Sequence, residues 1–139
     1  MKKFAFLSAF LFVAIMASAQ EETVKTGPII KFEEKIYNFG KIIQGDTVEH
    51  TFVFQNIGTE PLKITSARGS CGCTVPSYSS EAIKPGGKGE VFVRFKSAGK
   101  RGMQNKTVTL MTNAIVRKPV VLSIRGVVDL PKTKTEEEE

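Results

Sequence analysis

Apolar residues recur at every second position in this chain, segment after segment. In Val48 to Gln55 one row reads Val48, His50, Phe52, Phe54 and the other Glu49, Thr51, Val53, Gln55. In Glu90 to Lys96, Val91, Val93 and Phe95 alternate with Glu90, Arg94 and Lys96, and Phe92 is the exception. Val120, Leu122 and Ile124 alternate with Val121, Ser123 and Arg125. Successive side chains of a strand project to opposite faces, so this is the pattern of strands with one face on a core and one in water. β-branched and aromatic residues dominate these runs, which suits a pleated surface. Beyond the first 20 residues no stretch carries a helical stripe, and almost no helix is expected.

Turn residues punctuate the runs at Asn38-Phe39-Gly40, Gln44-Gly45-Asp46, Asn56-Ile57-Gly58, Pro85-Gly86-Gly87 and Ser97-Ala98-Gly99. They predict strands at 29–33, 36–39, 47–56, 61–68, 90–97, 104–112 and 119–128, with a short edge strand near 81–84. Seven to eight short antiparallel strands in about 100 residues imply an all-β fold, an immunoglobulin-like β-sandwich. A small closed barrel is the alternative. Trp and an inter-sheet disulfide are both missing, so the aromatic part of the core must come from six Phe and two Tyr after residue 20. No internal repeat is visible.

The first 20 residues follow a different logic. Lys2 and Lys3 precede an apolar run from Phe4 to Met16 broken only by Ser8, and Ala17-Ser18-Ala19 supplies small exit residues. This is the order of a secretory signal peptide, with cleavage expected between Ala19 and Gln20. The run is short for a membrane span, and no Cys follows it to carry a lipid, so no transmembrane anchor is expected after cleavage. The expected organisation is a signal peptide at 1–19, a linker at 20–28, one sandwich at 29–129 and a disordered tail at 130–139 ending in Glu136 to Glu139. Export places the mature chain in the periplasm or cell envelope of a Gram-negative-type bacterium. It also argues against nucleic acid as a partner.

Residues 28–130 carry 15 basic against 8 acidic side chains. Lys96, Lys100, Arg101 and Lys106 flank the Gly99/Gly102 turn with no acid between them. They make a basic hairpin that could meet an anionic partner, with solvated turn charges as the ordinary account. Pro85-Gly86-Gly87-Lys88-Gly89 lacks the spacing and the hydroxyl residue of a phosphate loop and reads as a turn. Asn105-Lys106-Thr107 is a formal glycosylation sequon of a kind that chance produces often.

Both cysteines of the chain lie in Ser70-Cys71-Gly72-Cys73-Thr74. Three readings are open. As a disulfide the pair closes a loop of about three residues, for which chain entropy gives roughly 1.6 kcal/mol against roughly 3 kcal/mol for a 15-residue loop. Such a bond is a weak staple, which points to thiol exchange. As a metal site, two thiolates suit Cu(I), with Met103 and Met111 as soft helpers that nothing places nearby. As packing, both side chains fill core space from one face of a strand. An all-protein zinc site of four Cys and His ligands is excluded, because His50 is the single histidine. His50 lies in the inward row beside Phe52 and reads as a hydrogen-bonded core residue. No catalytic residue is assigned and no enzyme is expected.

Several segments together resemble a known family. Phe39-Gly40-Lys41-Ile42, Gly45-Asp46, His50 to Gly58, Pro61-Leu62-Lys63-Ile64, the Cys71-Gly72-Cys73-Thr74 element, Ile83-Lys84-Pro85-Gly86 and Leu122 to Gly126 occur in the order of the exported bacterial domain of unknown function 1573. That family is similar to the immunoglobulin-like domains of the Hydin type. The resemblance runs from about Phe32 to Val128 and implies a β-sandwich, an envelope location and a partner-binding role without a catalytic centre. It assigns no activity. The expected function is therefore an exported, non-enzymatic module that binds a protein or envelope component by its edge strands or its cations. The alternative is a thiol-disulfide or Cu(I)-handling protein acting through Cys71 and Cys73.

Overall fold

The computed structural model describes residues 26–133. The signal peptide expected at 1–19, its expected Ala19/Gln20 cleavage point and the Glu136–Glu139 end of the tail lie outside the described residues. Eight strands form: β1 (Ile30–Phe32), β2 (Ile36–Ile43), β3 (Thr47–Asn56), β4 (Ile64–Gly69), β5 (Thr74–Tyr78), β6 (Lys88–Lys96), β7 (Gly102–Thr112) and β8 (Val120–Asp129). They make two four-stranded sheets, ordered β1-β3-β6-β5 and β2-β8-β7-β4. The architecture is the immunoglobulin-like sandwich that the alternation predicts, with no helix among the described residues.

The inward rows meet between the sheets. Phe52, Val91, Val93 and Phe95 from one sheet are fully buried against Val108, Leu110, Leu122, Ile124 and Val128 from the other. Phe32 and Phe54 complete the buried aromatics, and Tyr37, Phe39 and Tyr78 pack at the margin. Phe92 points outward, opposite Thr51 and Ser77, with the Arg94 guanidinium 5.7 Å from its ring centre.

Three polar side chains are buried as well, those of Asn56, Thr74 and Ser97, and the first and last tie strand ends together. Asn56 donates from Nδ2 to Glu60 O (2.7 Å) and Ile83 O (2.9 Å), and its Oδ1 accepts from Gly58 N–H (3.0 Å). Ser97 donates from Oγ to Asp46 O (2.6 Å) and accepts from Gly45 N–H (3.0 Å), clamping the turn between β2 and β3.

Four expectations change. Every pairing is antiparallel except β2 with β8, which is parallel. Asn38-Phe39-Gly40 is not a turn; the register skips Phe39 between Asn38↔Arg125 and Gly40↔Gly126, so β2 runs through it as a bulge, with Gly40 at φ 70°. The predicted 81–84 strand is a single bridge between Ile83 and Leu62, while β5 was not predicted at all. β6 and β7 lie in different sheets, so Lys96, Lys100, Arg101 and Lys106 do not form a hairpin.

Candidate functional site

Cys71 and Cys73 sit in the connection that carries the chain from β4, at the edge of one sheet, to β5, at the edge of the other. They form a disulfide, with their Cα atoms 5.2 Å apart. This is the bonding state of the first of the three readings of the pair. The cysteines do not share a strand face as separate apolar fillers; they lie in a loop, joined, with only Cys73 packed against the core. Nor do they offer thiolates to Cu(I) in this form. Met103 lies opposite Val127 and Met111 opposite Ser66, neither paired with the loop. No group of three His, Cys, Asp or Glu gathers as a metal site among the described residues.

Both ends of the loop are pinned by the backbone. Ser70 N–H donates to Thr107 O (2.8 Å) and Ser70 Oγ accepts from Thr107 N–H (3.1 Å). Lys96 N–H donates to Cys73 O (2.9 Å), and Thr74 N–H to Cys71 O (3.2 Å). The Thr74 side chain is buried beneath, its Oγ1 3.6 Å from Cys71 Sγ and 3.9 Å from Cys73 Sγ.

The second feature is a sheet edge. Along β3 the even-numbered residues bond to β6, a phase set by Asn56 N–H on Gly87 O (2.9 Å) and Ser97 N–H on Asp46 O (3.0 Å). The odd-numbered residues turn their N–H and C=O groups the other way. β1 takes them only at one end, through Ile57 N–H on Ile29 O (2.9 Å) and Glu33 N–H on Val53 O (3.0 Å). At Glu34 and Lys35 the chain crosses to the other sheet and becomes β2. Glu49 and Thr51 are left with no strand beside them among the described residues.

His50 lies under this open stretch, half-buried between the sheets. Its ring stacks on Tyr37 of β2 at 3.7 Å between centroids and meets the edge of Phe52 at 4.7 Å. Its Nε2 donates to Glu34 Oε1 at 2.6 Å. The histidine expected as a hydrogen-bonded core residue is hydrogen-bonded but half-buried at the margin of the core, with its partner in the crossover that opens the edge.

The other three edges are closed by local devices. In β5 the bond from Lys96 N–H to Cys73 O fixes the phase so that the backbone groups of Thr74, Pro76 and Tyr78 point away from β6, to the free edge. Pro76 has no N–H, and that of Thr74 is spent on Cys71. The edge of β4 is stopped at one end by the Leu62–Ile83 bridge and at the other by Thr74, whose carbonyl oxygen leaves no room for a Cβ on Gly69. The edge of β2 is broken by its bulge.

The four cations are dispersed. Lys96 is exposed on the outer face of β6, Lys100 and Arg101 stand in the crossing turn, and Lys106 falls in the β7 row that continues inward as Val108 and Leu110. The sequence reading passed over a cleft of about 320 Å³ at the end of the sandwich, lined by Ile29, Ile30, Ile115, Val116, Pro119 and Val121. Its apolar residues come from two stretches far apart in the chain, 29–30 and 114–121, and no local motif announces it.

Comparison with known proteins agrees with this picture. Residues 30–128 match the family model described as protein of unknown function (DUF1573). No curated protein matches the chain. Among solved structures, it is similar to a protein of unknown function from Porphyromonas gingivalis W83, at 14% identity and a TM-score of 0.64, covering 76% of this chain and 49% of that one. It is also similar to the ASH/PapD-like domain 7 of human CEP192, at 14% identity and a TM-score of 0.60, covering 74% of this chain and 87% of that one. A third is the VesB protease of Vibrio cholerae, at 16% identity and a TM-score of 0.58, covering 72% and 31%. At these identities the likeness is one of fold. The chain spans about half the length of the Porphyromonas gingivalis protein.

Proposed function

The chain belongs to the DUF1573 family of proteins of unknown function, and we propose that it is a non-enzymatic binding module of the periplasm or cell envelope, exported by the signal peptide at 1–19. Its ligand is an extended segment of a partner protein, taken up as an added strand beside β3. The observation that carries this reading is the contrast among the four edges. Three are closed by a proline, a bridge with a close backbone approach, and a bulge, while the Glu49–Thr51 stretch of β3 offers its N–H and C=O groups in line with β1. Main-chain hydrogen bonds to such an edge give affinity, and the flanking side chains give selectivity. An added strand would run on where β1 stops, with Thr51 and Glu49 on its outer side and the Tyr37–His50 stack beneath.

The test is a photo-cross-linker placed at Glu49 in the native envelope, with one at Ser77 on the proline-blocked edge as control. The expected result is an adduct at position 49 and none at 77. Thr51→Pro should abolish it, because the ring removes an N–H from the open edge while leaving the bonds to β6 intact. Equal labelling at the two positions, or an adduct that survives Thr51→Pro, would refute strand addition at β3.

A further inference from the structure

The Cys71–Cys73 bond contributes little to holding the sandwich together. It spans one intervening residue, so the loop it closes is too short for chain entropy to matter much. The backbone bonds of Ser70, Cys71, Cys73 and Thr74 pin that loop at both ends without it. Access is open: Cys71 is half-exposed, and a Cβ built on Gly72 would meet nothing within 4 Å.

Thr74 adds an independent observation. Its side chain is 3% exposed, and among the described residues its hydroxyl meets only the two sulfurs. A disulfide sulfur is a poor hydrogen-bond acceptor, whereas a thiolate is a charged one, and hydrogen bonds to charged groups are the stronger kind. The buried O–H is therefore better satisfied when the bond between the cysteines is broken than when it is made.

We propose that Cys71–Cys73 is a thiol-disulfide exchange site, at which the buried hydroxyl of Thr74 holds the sulfur that leaves as thiolate. The co-reactant is a dithiol. One of its thiolates attacks Sγ of Cys71, the cysteine that does not pack against the core; the S–S bond breaks and Cys73 leaves as thiolate within reach of Thr74 Oγ1. The second thiol of the donor, once deprotonated, attacks the donor sulfur of the mixed disulfide and releases Cys71. Two electrons and two protons pass from the donor, which becomes a disulfide, to Cys71 and Cys73, which become thiols. The proposal does not depend on strand addition at β3, since the loop lies between the opposite edges of the two sheets.

The experiment equilibrates residues 20–139 with graded ratios of reduced and oxidised dithiothreitol, quenches with acid, alkylates and weighs the intact chain. Amide spectra in parallel report whether the fold persists. Reduction without unfolding is expected. Thr74→Val should shift the equilibrium toward the disulfide by about fivefold to tenfold, a tenfold change corresponding to about 30 mV for two electrons. Thr74→Ser, which keeps the hydroxyl, should stay close to the unsubstituted chain. Reduction only in denaturant would overturn the proposal, as would an equilibrium equal in Thr74→Val and Thr74→Ser.

Discussion

The ring of Phe39 lies directly over Gly126, so close that a Cβ on Gly126 would overlap Cδ2 and Cε2 of the ring. The two residues face each other across the parallel pairing of β2 and β8, at the point where the bulge drops Phe39 from the register. Phe39 follows Tyr37 in the inward row of β2, its ring stacked toward Phe95 with 5.8 Å between centroids, and the glycine makes the space. A bulge on one strand and a glycine on its neighbour thus act as one device, which also disrupts the outer edge of β2.

Gly126→Ala should therefore destabilise the domain, by about 1–3 kcal/mol as an overpacked site that forces the ring or the strand to move. Urea unfolding of the two proteins, compared at equal m-value, measures this. Pairing it with Phe39→Leu should recover part of the loss, because a smaller side chain leaves room for the added methyl.

Asn56 should be among the most sensitive positions in the chain. It is fully buried, and truncation to Ala removes the side-chain partner of Glu60 O and of Gly58 N–H and one of the two donors on Ile83 O, which keeps Leu62 N–H. A polar group left without a partner away from water costs about 1–3 kcal/mol, so a loss of about 2 kcal/mol is expected by thermal or urea unfolding. Asn56→Asp should be comparably damaging, since it keeps the acceptor and removes both donors.

What could be read from the sequence followed from side-chain periodicity. The inward rows of β3, β6 and β8 alternate cleanly, and apart from the half-buried His50 and Val120 their members are buried. β5 escaped because Pro76 and the serines around it read as loop, although the strand needs only its odd-numbered residues to bond β6. The parallel partnership of β2 with β8 joins residues more than eighty positions apart, and alternation carries no information about partners. The cysteine loop was legible as a motif and not as a bonded state. The open edge of β3 was illegible, since it arises from where β1 stops and the chain changes sheets.

Hydrogen exchange tests that edge directly in the isolated domain. The amides of His50 and Phe52 point at β6 and should be strongly protected, whereas those of Glu49 and Thr51 point at solvent and should exchange orders of magnitude faster. An alternating record of fast and slow amides along 49–52, read by NMR, is the expected outcome. Uniform protection would mean that something covers the edge.

The proline in β5 should be what keeps that edge from pairing. Thr74 spends its N–H on Cys71 O, and Pro76 has none, so a second strand finds no donor until Tyr78. Pro76→Val restores one donor in the middle of the edge with a residue that favours strands, next to Val75, which is already 49% exposed on the outer face. The bonds to β6 come from the odd-numbered residues and are untouched, so the thermal midpoint should shift by only a few degrees, consistent with about 1 kcal/mol or less. The change should instead show as association. Sedimentation velocity over a range of concentrations is expected to give a single slow species for the unsubstituted chain and a concentration-dependent faster one for Pro76→Val. Val75→Lys in the same background should reverse it, by placing like charges opposite one another wherever two such edges meet. If Pro76→Val sediments as the unsubstituted chain does, the proline is not what holds this edge apart.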